Sequence, residues 1–155
     1  MENLVLLVQE LEEDSFPFDV LFVQECMQCL EGQTFFDNQG HGYFFGVHHW
    51  RCAGLIINQR WRDKIQWHST SSRHPMVAVD FFGETSLLSS WYLPQDGWLF
   101  HHYLETLTES AEAIQRQRRL GYDWHDVILG GDFNGSFWRA ACSGRSRFLG
   151  TRCGR

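Results

Sequence analysis

Hydrophobic positions recur along this chain with two different periods, and the change from one to the other lays out its elements. Leu4, Leu7, Val8 and Leu11 share one face at helical spacing, with Glu10, Glu12 and Glu13 facing out. This predicts an amphipathic helix over Glu2 to Glu13, ended by Phe16-Pro17-Phe18. Asp19 to Gln24 (DVLFVQ) is then a short continuous apolar run, as in a strand covered on both faces. After Gly32 the pattern becomes short strands punctuated by glycine: His41 to Gly46, Cys52 to Asn58, Trp61 to His68, His74 to Phe82 and Ser86 to Leu93. Their spacing of about ten residues suits antiparallel meanders of semi-buried strands. Within this set Met76, Ala78, Asp80 and Phe82 fall on one face, and Val77, Val79 and Phe81 on the other.

Helical period returns after Pro94-Gln95-Asp96-Gly97, which supplies a turn and an N-terminal cap. Leu99, Tyr103, Leu107, Ala111 and Ile114 mark the apolar face of a second helix, Arg116, Arg118 and Arg119 complement its C-terminal dipole, and Gly121 suits the position just beyond its end. Asp126 to Leu129 (DVIL) then enters a second buried strand that runs into Gly130-Gly131-Asp132-Phe133-Asn134. Together these elements predict an α+β domain of mostly antiparallel sheets flanked by helices.

Composition narrows the class without naming a function. Hydrophobic residues are 43% and charged residues 21% of the 155, which excludes a disordered or coiled-coil chain. No apolar run approaches the roughly eighteen residues of a membrane span, and no signal peptide opens the chain, so an intracellular protein, nuclear or cytoplasmic, is expected. Cys26, Cys29, Cys52, Cys142 and Cys153 are odd in number and unevenly spaced, which suits reduced thiols better than a disulfide framework.

The net charge of -6 conceals an asymmetry. Residues 1–115 hold 16 acidic and 5 basic side chains, whereas residues 116–155 hold 3 acidic and 8 basic, all of them Arg. Arg binds phosphate through a bidentate fork, so the terminal stretch, with Trp138 and Arg139 at its start, is a candidate for contact with nucleic acid. Its other reading is a solvated, disordered tail over 139–155, following a domain over 1–138.

Chemistry concentrates where carboxylates close strands. Glu25 follows Gln24 at the end of the first strand, and Asp132 and Asn134, two apart and therefore on one face, follow the last. A carboxylate there is costly unless paired, hydrogen-bonded or bound to a cation. Gly130 and Gly131 permit close approach by another backbone or by a phosphate. The structural alternatives are a helix-capping role for Glu25 and turn roles for Asp132 and Asn134.

Val23-Gln24-Glu25, Gly54-Leu55-Ile56-Ile57, Trp91-Tyr92-Leu93-Pro94 and Gly131-Asp132-Phe133-Asn134 resemble, in order and spacing, the endonuclease/exonuclease/phosphatase superfamily. Within it the chain is most similar to the apurinic/apyrimidinic-type endonuclease domain of non-LTR retrotransposons. The resemblance implies a four-layer α/β/β/α sandwich and Mg²⁺-dependent hydrolysis of a DNA phosphodiester, with Mn²⁺ as a substitute ion. It implies that Glu25 is a metal ligand, that Asp132 activates the attacking water, that Asn134 holds the phosphate or that water's partner, and that Tyr92 contacts the scissile phosphate. Trp138 and Arg139 become candidate substrate contacts.

The departures are equally specific. The chain opens at the helix that follows the family's Asn-bearing first strand, has Gln95 where many relatives have Asn, and carries no Ser-Asp-His motif after Asn134. The resemblance therefore covers about two thirds of such a domain, with open sheet edges expected. A catalytically inert fragment of the same fold is one alternative. A thiol oxidoreductase built on Cys26-Met27-Gln28-Cys29 is another. His48-His49 with Cys52, or His101-His102, lack a second matched pair that would complete a zinc site. The sequence specifies no oligomeric state.

Overall fold

A computed structural model describes residues 2–14, 17–26, 30, 32–47, 52–71, 73–92 and 100–132. Helix α1 (Glu2–Glu13) leads into β1 (Val20–Cys26), followed by β2 (Thr34–Phe36), β3 (Gly42–Phe45) and β4 (Cys52–Ile57). A 3-10 helix (Gln59–Lys64) then precedes β5 (Ile65–Ser69), β6 (Met76–Phe81) and β7 (Glu84–Tyr92), and α2 (Phe100–Arg119) precedes β8 (Asp126–Asp132). Among the described residues two four-stranded sheets result, ordered β1-β4-β3-β2 and β5-β6-β7-β8. All neighbours are antiparallel except β7 and β8. A parallel pair needs a crossover of a dozen or more residues, and α2 supplies it.

The expected α+β class holds, and the core divides into the layers that define it. On one side Val8 of α1 packs with Phe18, Tyr43, Phe45, Cys52 and Ile56. Between the sheets lie Phe44, Leu55, Ile57, Trp61, Val77, Val79 and Leu88. Beyond the second sheet Met76, Ala78, Leu87 and Trp124 meet Ala113 and Ile114 of α2. The alternation expected along β6 thus separates Val77, Val79 and Phe81 from Met76 and Ala78. Because helices cover both outer faces, β3, β4 and much of β6 and β7 are buried on both sides rather than half-buried.

Several expectations are corrected. Trp61 to Lys64 is 3-10 helix rather than strand. Asn58 caps it by accepting from the Arg60 N–H, and Asp19 accepts from both Arg60 and the Trp61 indole, which holds the chain in a tight turn. Phe82 lies in the β6–β7 turn, at φ 58° with Gly83 at φ 93°, both left-handed, as a two-residue hairpin of this twist requires. Leu7 sits at the margin of the α1 stripe and is exposed. Ala111 is also exposed, and Ser110 takes the buried place beside Ala113 and Ile114. Asp126 to Leu129 belongs to a sheet edge, with Val127 and Ile128 exposed rather than buried. Leu99 and Tyr103, residues 94–97 and the tail over 139–155 fall outside the described residues or side chains.

Glu12, expected to face solvent, instead turns to the sheet. It accepts from Asn58 Nδ2 at 3.2 Å, and its Oε2 lies 3.3 Å from Nε2 of the buried His41. His41 Nδ1 accepts the Gln59 N–H, which assigns the ring proton to Nε2 and so makes a carboxylate a suitable neighbour. Nearby, Asp37 accepts from the backbone N–H groups of Gln39, Gly40 and His41 and from the Tyr43 hydroxyl.

Burial first, and then the Asp37 charge, push the Tyr43 phenol well above its ordinary range. The native state therefore prefers the neutral phenol, and its contribution is complete below about pH 10 and lost as pH rises beyond that. The urea midpoint is expected to fall above pH 10 and to fall less steeply in Tyr43→Phe. Parallel curves for the two proteins would contradict this assignment. Among the described residues no helix is long and apolar enough to cross a membrane.

Candidate functional site

The site begins with an irregularity in β1. Val23 pairs with Gly54 and Cys26 with Cys52, so Gln24 and Glu25 together oppose Ala53 alone. This is a β-bulge, which adds one residue and re-aims the side chains around it. Leu21 and Val23 pack toward α1 and Phe22 toward the second sheet, as strict alternation requires. Alternation then fails: Cys26 packs toward α1 although it lies three residues from Val23. The extra residue lets Gln24 and Glu25, neighbours in sequence, both reach the second sheet.

Both reach β7. Gln24 Nε2 donates to Ser90 Oγ at 3.2 Å, and that hydroxyl donates to the Val23 carbonyl at 3.3 Å. Two residues further along the same strand, Tyr92 Oη donates to Glu25 Oε1 at 2.9 Å. Glu25 sits at φ 56°, in the left-handed region. For a residue with a Cβ that conformation costs about 1–2 kcal/mol. Strain of this kind persists where surrounding contacts over-determine it, and it clusters at functional sites.

On the other side of Tyr92, β8 completes the group. Ser90, Trp91 and Tyr92 are in parallel register with Gly130, Gly131 and Asp132. The double glycine expected to allow close approach does so against two partners. A Cβ on Gly130 would lie 2.4 Å from the Phe22 ring, and one on Gly131 would lie 1.8 Å from the Trp91 carbonyl oxygen. Gly131 also has φ 148°. Any side chain there would force β8 off β7, so these glycines keep Asp132 in register beside Tyr92.

Glu25, Tyr92 and Asp132, separated by more than a hundred residues of chain, therefore meet at one end of the sandwich, on β1, β7 and β8. Among the described strands β1 and β8 are sheet edges, and Glu25 and Asp132 are exposed. Asn134, Trp138 and Arg139 lie outside the described residues. Gln24 and Ser90 form the second bridge between the sheets. In sequence Gln24 was visible only as the middle residue of Val23-Gln24-Glu25, and Ser90 as one serine of an apolar strand.

The donor set can be weighed against candidate metals. Among the described residues no three His, Cys, Asp or Glu side chains gather to enclose an ion. Two exposed carboxylates without a thiolate and imidazole cluster suit Mg²⁺, which uses one or two carboxylates and keeps several waters. They do not suit a closed structural zinc site. Cys52 is buried on the α1 side of its sheet, and His48 and His49 lie outside the described residues.

For the CxxC pair, Cys29 also lies outside the described residues. Hydrogen bonding to Cys52, and then burial, push the Cys26 thiol far above its ordinary range. That direction is opposite to the lowering that activates a nucleophilic cysteine.

No family model matches the chain, and neither the curated proteins nor the solved structures provide a match.

Proposed function

We propose that the chain is a Mg²⁺-dependent phosphodiester hydrolase of DNA endonuclease type. The observation that carries the reading is the Tyr92–Glu25 hydrogen bond between the two sheets, beside an Asp132 in register with Tyr92. Three residues expected to act together, on three distant elements, converge at one exposed strand end. A capping role for Glu25 does not require a bulge, a left-handed backbone and a tyrosine partner from the opposite sheet.

In this reading Glu25 holds the ion, which supplies positive charge against a phosphate oxygen when bound. The Tyr92 hydroxyl commits its one proton to Glu25 and fixes the carboxylate's orientation, so Tyr92 acts first as a positioning residue. Asp132 accepts a proton from the attacking water while a new P–O bond forms in line and the bond to the leaving sugar oxygen breaks. That oxygen takes its proton from solvent, and no covalent enzyme intermediate forms. Asn134 is assigned to the phosphate by resemblance, Trp138 and Arg139 to strand contact by their stacking and phosphate-binding chemistry, and the arginines of the C-terminal stretch suit an anionic backbone.

The reading is tested by incubating supercoiled plasmid with the chain. Nicking should appear with Mg²⁺, stop on addition of EDTA and return with excess Mg²⁺ or Mn²⁺. Tyr92→Phe should lower the rate by about 10–100-fold, the usual effect of removing a partner that orients a metal ligand, chiefly through weaker metal affinity. Nicking that is indifferent to EDTA would overturn the reading.

A further inference from the structure

Two thiols face each other across the β1–β4 ladder, immediately past the bulge. Cys26 and Cys52 are register partners, and both side chains enter the apolar layer beneath α1. Cys26 is half-buried and Cys52 buried, and neither is in a disulfide. Directly opposed residues of an antiparallel ladder hold their Cα atoms about 4.5–5.5 Å apart, within the roughly 4.4–6.8 Å that a disulfide spans. Their Cβ atoms, about 4.5–5.5 Å apart in such pairs, must close to about 3.8 Å. The bond is thus within reach at the cost of some strain, and strained disulfides are the labile ones.

We propose that Cys26 and Cys52 form a reversible cross-strand disulfide, a clasp that ties the edge strand β1 to β4 beside the Glu25 bulge. The oxidant is a low-molecular-weight disulfide of the glutathione class. Cys26, the more accessible thiol, is deprotonated when the outer strand β1 opens to water, and its thiolate attacks one sulfur. The oxidant's S–S bond breaks, one thiolate leaves, and a mixed disulfide remains on Cys26. The Cys52 thiolate then attacks the Cys26 sulfur and expels the second thiolate. Two protein thiols are oxidised, one external disulfide is reduced to two thiols, and the two protein protons pass to the leaving groups. Thiols shielded by apolar surroundings exchange slowly, so closure proceeds over hours.

The proposal rests on the ladder register and not on the hydrolase reading, so failure of either leaves the other standing. It is tested by incubating the full chain with glutathione disulfide, alkylating the remaining thiols and mapping linked peptides. A Cys26–Cys52 link, reversed by dithiothreitol and also formed in Cys29→Ser, is expected. The oxidised protein should melt about 5–10 °C higher than the reduced one, a rise absent in Cys52→Ala. Because Cys52 lies in the core, the peptide maps of the wild type and of Cys29→Ser carry the decision if Cys52→Ala fails to fold. A Cys26–Cys29 link, a mixed disulfide that never resolves onto Cys52, or a link with no rise in melting temperature would overturn the proposal.

Discussion

Glu25→Gln is expected to reduce Mg²⁺-dependent nicking by about 10²–10³-fold, the loss that follows removal of one preorganised electrostatic partner. The substitution keeps the shape of the side chain and an oxygen able to accept the Tyr92 hydroxyl, so what is lost is the negative charge to which the proposed metal role is assigned. Stability should respond differently. Glu25 occupies a left-handed conformation at φ 56°, which glycine adopts without penalty. Glu25→Gly should therefore leave the melting temperature unchanged or raise it slightly while nicking disappears. A residue retained at the expense of backbone strain, and dispensable for folding, is one held for function. A drop in melting temperature of more than about 5 °C in Glu25→Gly, near 2 kcal/mol for a domain of this size, would identify Glu25 as a structural residue instead.

Gly131→Ala should be the most disruptive methyl that can be added to the described strands. Its Cβ would stand 1.8 Å from the Trp91 carbonyl oxygen and 2.9 Å from the Trp91 nitrogen, both of them backbone atoms of the adjacent strand. No rotamer change relieves that clash, so β8 must peel away from β7, taking Asp132 with it. A loss of at least about 3 kcal/mol in urea unfolding, or failure to fold, is expected. Gly121→Ala provides the control. Gly121 closes α2 at φ 90° with no atom within 4 Å of an added Cβ, so only the backbone term of about 1–2 kcal/mol applies. Equal losses in the two variants would show that β8 is not packed on β7 as described.

These two residues also mark how far sequence reasoning reaches. The double glycine announced a close approach, but its partners, the Phe22 ring and the Trp91 backbone, belong to β1 and β7 and emerge only when three strands are assembled. Helix α1 was legible to its ends because a 3.6-residue period is a local property. The two faces of β6 were legible for the same reason. The bulge at Gln24 and Glu25 was not, since it is a slip in register between β1 and β4 and leaves no period of its own. An apolar run such as Asp126 to Leu129 reads alike in the middle of a sheet and at its edge, so the exposure of β8 followed only from strand order. Trp61 to Lys64 reads in sequence as joined to the strand that follows it, Ile65–Ser69, and capping by Asn58 together with Asp19 makes it 3-10 helix instead. Glu25 and Asp132 stood out as carboxylates at strand ends, whereas Tyr92 was singled out by motif alone. Its hydroxyl on Glu25 gives it a physical role.

Whether Glu25, Tyr92 and Asp132 form one hydrolytic site is decided by single-turnover nicking of supercoiled plasmid in Mg²⁺ by the wild-type chain and by Asp132→Ala. Nicking above background is expected of the wild type and none of the variant, with both proteins melting at similar temperatures. Equal nicking by the two would contradict the role of Asp132, and no nicking by a folded wild type would identify the chain as an inert form of the same fold.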